Sequence, residues 1–194
     1  ASPAFGVVIR DFNGDRHPDI YLVQNFFSPQ WETGRMDGGL SLLLFGNGDG
    51  TFEPVMPGRS GLSVHGDAKS AAVTDLDGDA WPDMVVGVND DYVVAFRNSR
   101  WSENKMVTVR LAGPRGNSTA VGAKVKVKLV DGSSQVAEVH AGSGYLTQST
   151  PLLNFGLGPD GVIDQIEVTW PDGHTTFKST SLDGPILMID YHVE

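Results

Sequence analysis

Two nonapeptides constrain this chain more than anything else in it. They are Asp11-Phe-Asn-Gly-Asp-Arg-His-Pro-Asp19 and Asp75-Leu-Asp-Gly-Asp-Ala-Trp-Pro-Asp83, which begin 64 residues apart. Three aspartates in one and four in the other repel unless something positive neutralises them. The flanks repeat as well: Gly6-Val-Val-Ile-Arg10 and Ser70-Ala-Ala-Val-Thr74 lead in, and Ile20-Tyr-Leu-Val23 and Met84-Val-Val-Gly-Val88 lead out. The unit is strand, acidic loop, strand, used twice.

Oxygen ligands at loop positions 1, 3 and 5, a backbone carbonyl at 7 and a carboxylate at 9 can converge on one hard cation, as in the first part of an EF-hand loop. The spacing therefore predicts two calcium sites. One comprises Asp11, Asn13, Asp15, the carbonyl of His17, and Asp19; the other comprises Asp75, Asp77, Asp79, the carbonyl of Trp81, and Asp83. Gly14 and Gly78 permit the tight turn. An EF-hand proper needs a bidentate Glu at position 12, where this chain has Leu22 or Val86 within apolar, strand-like runs. The bland alternative is a pair of Asp- and Asn-rich hairpin turns that hold no ion.

Composition narrows the function classes. Of 24 acids, 18 are Asp, a residue of turns rather than helices. The net charge of −10 opposes nucleic acid and anionic membrane surfaces as partners. The absence of cysteine excludes disulfides, thiolate zinc sites and cysteine nucleophiles. No apolar run approaches the roughly 20 residues of a membrane-spanning helix, so membrane insertion is not expected. The sequence opens Ala-Ser-Pro without a leader-like segment, and it is expected to be an excised piece.

Each repeat continues into a third apolar run, Leu40–Phe45 and Tyr92–Phe96. In the first copy, Gly46-Asn-Gly-Asp-Gly50 turns into a fourth strand at Thr51-Phe-Glu-Pro-Val55, whereas the second copy stops at three. A tight turn accounts for Asn47 and Asp49, which are not assigned to a third metal site. The polar stretch 98–104 marks a boundary. The expected domains are 1–100, the two repeats with their calcium loops, and 105–194, a second β domain. In the latter, Lys124-Val-Lys-Val-Lys-Leu-Val130 alternates and returns at Gln135–His140, Ile166–Trp170 pairs with Thr175–Lys178, and Ile186–Ile189 is a last strand. With no helical periodicity the chain reads as all-β, its second domain a sandwich.

With these motifs in view, the loops together with Gly48-Asp-Gly-Thr-Phe52 resemble FG-GAP/VCBS repeats, the calcium-binding blades of β-propellers. Residues 105–190 resemble an ASPIC/UnbV domain through Val121-Gly-Ala-Lys-Val125, Val139-His-Ala-Gly-Ser-Gly-Tyr-Leu-Thr-Gln-Ser149, Phe155-Gly-Leu-Gly158 and Val168-Thr-Trp-Pro-Asp-Gly173. The resemblance implies two FG-GAP-type blades of an incomplete propeller followed by a β-sandwich-like ASPIC/UnbV domain. It also implies a secreted or cell-surface protein that binds calcium and has no established enzyme activity. Propellers close with roughly 4–8 blades. Two leave open edges, to be covered by absent blades, by the second domain, or by other copies of the chain in a homo-oligomer or filament.

The function expected is a non-enzymatic extracellular adhesion or scaffold module in which calcium rigidifies the acidic loops, with proteins or glycans at the cell surface as partners. The alternative is a calcium-dependent carbohydrate-binding module using Trp31 or Trp81 as an aromatic platform. The loop 26–35, with Phe26, Phe27, Trp31 and Arg35, is a candidate binding edge or else folds under itself. No catalytic residues are assigned, since no acid–base–nucleophile constellation is present and Gly142-Ser143-Gly144 reads as a turn. Asn117-Ser-Thr is a glycosylation sequon, read as a chance occurrence.

Overall fold

Alternation decides which face each strand buries, and the lysine-rich run shows it most plainly. In Lys124–Leu129 the lysines are exposed while Val125, Val127 and Leu129 are buried. The computed structural model describes residues 2–34, 36–100, 102–179 and 184–192. Arg35 and Trp101 lie outside the described residues.

The first sheet is an antiparallel meander of β1 (Ala4–Arg10), β2 (Asp19–Gln24), β3 (Leu42–Gly46) and β4 (Phe52–Val55). The second contains β5 (Ala68–Thr74), β6 (Asp83–Val88) and β7 (Val94–Phe96). Both start with the same register: Arg10 pairs with Asp19 and Thr74 with Asp83, so each acidic loop closes a hairpin. A short helix, Pro57–Ser60, and a single 3-10 turn, Trp31–Thr33, interrupt the β pattern. Four residues are too few for periodicity to reveal, although Pro57 at the helix start and Gly61 just past its end are the usual start and stop residues.

The two sheets pack face to face. Val8, Tyr21, Val23, Leu43 and Phe45 of the first bury against Ala71, Val73, Met84 and Val86 of the second. The 64-residue offset makes Val7, Ile9, Ile20 and Leu22 the counterparts of those four residues in the second sheet. Ala71 and Val73 are 2% and 3% exposed, but Val7 and Ile9 are 47% and 54% exposed. The outer face of the first sheet thus lacks the cover that the same face has in the second.

The remaining strands are β8 (Lys105–Ala112), β9 (Lys124–Leu129), β10 (Ser134–Glu138), β11 (Leu153–Gly158), β12 (Ile163–Thr169), β13 (Thr175–Lys178) and β14 (Ile186–Asp190). They form two sheets in the orders β10-β9-β12-β13 and β11-β8-β14, enclosing a core that includes Val107, Val125, Phe155, Ile166 and Trp170. The last strand runs parallel to β8.

One open edge is covered by the second domain. On the outer side of β5, Val73 donates its N–H to Ser149 Oγ at 3.0 Å and accepts the Thr150 N–H at 3.0 Å, while Thr147 Oγ1 donates to the Ala71 carbonyl. The segment Val139–Ser149 that carries much of the ASPIC/UnbV resemblance therefore ends in the residues that cap this edge.

Candidate metal centre

Each acidic loop is built around its first aspartate. Asp11 accepts the N–H of Gly14 and of Arg16, and Asp75 accepts those of Gly78, Asp79 and Ala80. The backbone must curl tightly to aim those N–H groups inward. Gly14 and Gly78 take left-handed φ of 74° and 78°, and the repeat-equivalent Arg16 and Ala80 do so too, at 81° and 71°. The glycines were legible in the sequence; the two non-glycine positions were not, because nothing in an arginine or alanine announces positive φ.

The last aspartate of each loop is the first residue of the next strand and is almost fully buried. Asp19 accepts the Phe12 N–H at 2.7 Å and the Gly46 N–H at 3.0 Å. Asp83 accepts those of Leu76 and Asn98, both at 2.7 Å. These residues therefore tie the loop to the sheet as well as offering oxygens to an ion.

The loops differ in how closely their carboxylates converge. In the second, oxygens of Asp75, Asp77 and Asp83 lie within 4.8 Å of one another, the one such carboxylate group among the described residues. Asp79 stands apart: it accepts the Trp81 N–H and pairs with Arg100 Nε at 2.7 Å, while Arg97 approaches Asp77 at 3.6 Å. Two arginines thus supply part of the positive charge that the sequence demanded. In the first loop, Asn13 takes the place of Asp77, and its amide donates to Asp15 Oδ2 at 2.8 Å. Asp15 also accepts the His17 N–H. The donor set of the second loop fits a hard, oxygen-preferring cation, with Asp75, Asp77 and Asp83 as its converging carboxylates.

Both loops are clamped by the second domain and the segment that leads into it. Ser102 and Asn104 donate to the Asn13 carbonyl, and the Gly158 N–H donates to the Gly14 carbonyl. Arg16 reaches the Leu157 carbonyl at 2.8 Å and Asp131 at 2.7 Å. In the second loop, the Ala80 carbonyl accepts Thr108 Oγ1 at 2.7 Å and Asn154 Nδ2 at 3.2 Å. Sequence reading missed these partners, because no local pattern marks a strand whose backbone will meet a loop about 140 residues earlier.

Other candidates resolve differently. Trp81 is 5% exposed and its ring lies against Gly14, so as a sugar platform it is corrected: it plugs the space between the loops. Trp31 is 87% exposed, whereas Phe26 stacks edge-on with Phe5 at 5.6 Å beneath the Lys69 ammonium. The described residues 26–34 of this loop are thus part tucked and part exposed. Asp49 and Asn47 bond to Thr51 within their turn. The Asn117 amide bonds both ways to Val121.

Burial without a cation pushes the Asp11 carboxyl up to about 6 and Asp19 to about 7, with neighbouring aspartates adding to the rise; Asp83 is raised for the same reasons. A carboxyl raised above its unfolded value near 4 binds a proton in the fold that the open chain releases. Its contribution is therefore greatest below about pH 4 and is lost as pH climbs through about 7. In chelator, the thermal midpoint is expected to fall between pH 4 and 7, while the increment from added calcium grows over the same window. A chelated chain that gains stability across it would contradict this.

Comparison with known proteins agrees with the geometry. Residues 11–86 match the FG-GAP-like repeat family and residues 113–186 the ASPIC and UnbV family. Cartilage acidic protein 1 from Homo sapiens is 29% identical over 183 residues, that from Mus musculus 27% over 183, and that from Xenopus tropicalis 26% over 188. Each alignment takes in 93% of this chain and 27% of the relative, so the chain spans about a quarter of the length of the curated relatives it matches. The chain thus carries an FG-GAP-like repeat match followed by an ASPIC and UnbV match and is homologous to cartilage acidic protein 1.

Proposed function

We propose that this chain is a non-enzymatic, extracellular calcium-binding module of an adhesion or scaffold protein, in which ions rigidify the acidic loops and, through them, the contact between the two domains. The convergence of Asp75, Asp77 and Asp83 carries the reading. In the first loop, Asp11, Asn13, Asp15, the His17 carbonyl and Asp19 form another, more buried site. Asp79 and the Trp81 carbonyl complete the site of the second loop once Asp79 leaves Arg100. The FG-GAP-like match and the homology to cartilage acidic protein 1 support it.

An ion at a hundredfold excess over its dissociation constant adds about 2.7 kcal/mol of stability, large beside a typical total. Thermal unfolding in calcium, magnesium and chelator is expected to show a calcium-specific rise of several degrees. Asp75→Ala combined with Asp77→Ala is expected to remove one of two bound ions in a titration; unchanged stoichiometry would sink the assignment.

Assembly belongs to the same reading. The uncovered face bearing Val7 and Ile9 is the register equivalent of one that a neighbouring sheet buries, and a further sheet of this type covers it. Sedimentation of the chain is expected to show concentration-dependent association that Ile9→Glu abolishes. A monomer throughout the micromolar range would remove self-assembly and leave proteins or glycans at the cell surface as the partners.

A further inference from the structure

The dipeptide Asn-Gly occurs twice in the chain, at Asn13-Gly14 and at Asn47-Gly48. In both places the fold demands the glycine. Gly14 and Gly48 take left-handed φ of 74° and 78°, and a Cβ on Gly48 would stand 2.4 Å from the ring of His17. The same demand makes both pairs vulnerable, since asparagine carries a labile amide and no Cβ on the following residue hinders its main-chain nitrogen from attacking that amide.

Tertiary structure separates the two. Asn13 is buried, at 8% exposed. Its Nδ2 donates to Asp15 Oδ2 at 2.8 Å, its Oδ1 accepts the Asp15 N–H at 3.0 Å, and its carbonyl accepts Ser102 and Asn104. The Gly14 N–H, whose nitrogen would be the attacking atom, donates to Asp11 Oδ1 at 2.6 Å, a charge-assisted bond. Attack on Asn13 Cγ therefore requires this bond and both side-chain bonds to break together.

Asn47 and Gly48 lie exposed at the tip of the β3–β4 hairpin. The Asn47 side chain is held at one point, its Nδ2 donating to Thr51 Oγ1 at 2.9 Å, and its main-chain N–H donates to the Thr51 carbonyl. The Gly48 N–H makes no hydrogen bond among the described residues. The attacking nitrogen is thus free and in water at this pair, and bonded to a carboxylate at the other.

We propose that Asn47-Gly48 is a site of spontaneous covalent modification, deamidation through a cyclic imide, from which the fold shields the identical dipeptide Asn13-Gly14. The Gly48 nitrogen gives its proton to water and bonds to Asn47 Cγ. The Cγ–Nδ2 bond breaks, and the amide nitrogen takes a proton from water and leaves as ammonia. Water then opens the imide at either carbonyl carbon. Breaking the new N–Cγ bond leaves Asp at position 47; breaking the original peptide bond leaves an isoaspartyl linkage, with the main chain running through Cβ and Cγ. Water is consumed, ammonia is released, and nothing is oxidised or reduced. Each event adds a negative charge two residues from Asp49. The isoaspartyl form also lengthens the main chain next to Gly46, whose N–H holds Asp19 Oδ1 at 3.0 Å, so the change is made at the support of the first acidic loop.

The 194-residue chain is held folded in calcium at mildly alkaline pH, and both dipeptides are followed by peptide mapping with mass spectrometry. Isoaspartyl methyltransferase with labelled S-adenosylmethionine reports the isoaspartyl product. Asn47 is expected to convert to the acid at least about tenfold faster than Asn13, because the bond to Asp11 must be lost before Gly14 can react. In denaturant the two rates are expected to come together, since nothing then holds the Gly14 N–H. Asn47→Ser is expected to abolish the amide-to-acid mass change in this peptide and leave the thermal midpoint unchanged. Equal rates in the folded chain, or a faster rate at Asn13, would overturn the proposal. A ratio that persists in denaturant would overturn it too, by placing the difference in the flanking residues and not in the fold. Conversion is read as a mass at a named residue, so its failure leaves the metal assignment standing.

Discussion

Gly156→Ala is expected to lower stability by about 3 kcal/mol or more and to weaken calcium binding at the first loop. Gly156 lies in β11 of the second domain, where a Cβ would stand 2.0 Å from Asp11 Oδ2 and 2.7 Å from the Gly14 carbonyl carbon. A flexible side-chain tip could move aside, but here the obstacles are loop backbone and a carboxylate already held by two N–H groups. Accommodating the methyl means parting the domain interface or displacing Asp11. Gly58→Ala is the control: it meets open space in a short helix and is expected to be neutral or slightly stabilising. Equilibrium denaturation of both variants with a calcium titration checks the prediction. If Gly156→Ala unfolds like Gly58→Ala, the loop and the second domain are not in the contact described.

The second large effect is expected at Trp81. Truncating a buried Trp to Ala costs roughly 3–5 kcal/mol through lost burial and the cavity left behind. The ring tip would lie 2.9 Å from a Cβ placed on Gly14, so Trp81, carried by the second loop, braces the first. Trp81→Ala should therefore reduce calcium affinity at a loop 64 residues away in sequence, as well as at its own. Trp81→Phe is expected to recover a good part of the stability. A sugar platform would behave oppositely: a solvent-facing Trp gives little stability when truncated, and loss of ligand binding would come without unfolding. Denaturant midpoints of the two variants distinguish these outcomes.

The two predictions describe one device. Gly14 sits between the Trp81 ring on one side and β11 on the other, so an ion bound by the first loop, as proposed, would act on both neighbours. On the proposed reading, calcium occupancy would thereby be coupled to how the repeat sheets and the sandwich hold together. The arginines at 97 and 100 set the second loop apart, since an ion there would compete with ion pairs that already neutralise Asp77 and Asp79.

Much of this was legible in the sequence because it is local. Strict alternation in Lys124–Leu129 set the buried face, the hairpins β9–β10 and β12–β13 followed from turns at Asp131-Gly132 and Asp172-Gly173, and the spacing of the nonapeptides placed two acidic loops between strands. Periodicity and turn chemistry act over a few residues, so a one-dimensional pattern carries them. Which carboxylates converge was not legible: Asp75, Asp77 and Asp83 come together while Asp79 turns to Arg100, and that choice depends on an arginine beyond the next two strands. Nor was the parallel pairing of β14 with β8, the capping of β5 by residues 147–150, or the fate of Trp81, each of which joins segments distant in the chain. The amino-acid sequence by itself determined the β repeat, its acidic loops and the alternation that buries one face of each strand. Only the tertiary structure decided that the second domain is the wall those loops are pressed against, because that contact joins loop backbone to side chains and glycines far away in the chain, and no local pattern pairs segments so distant.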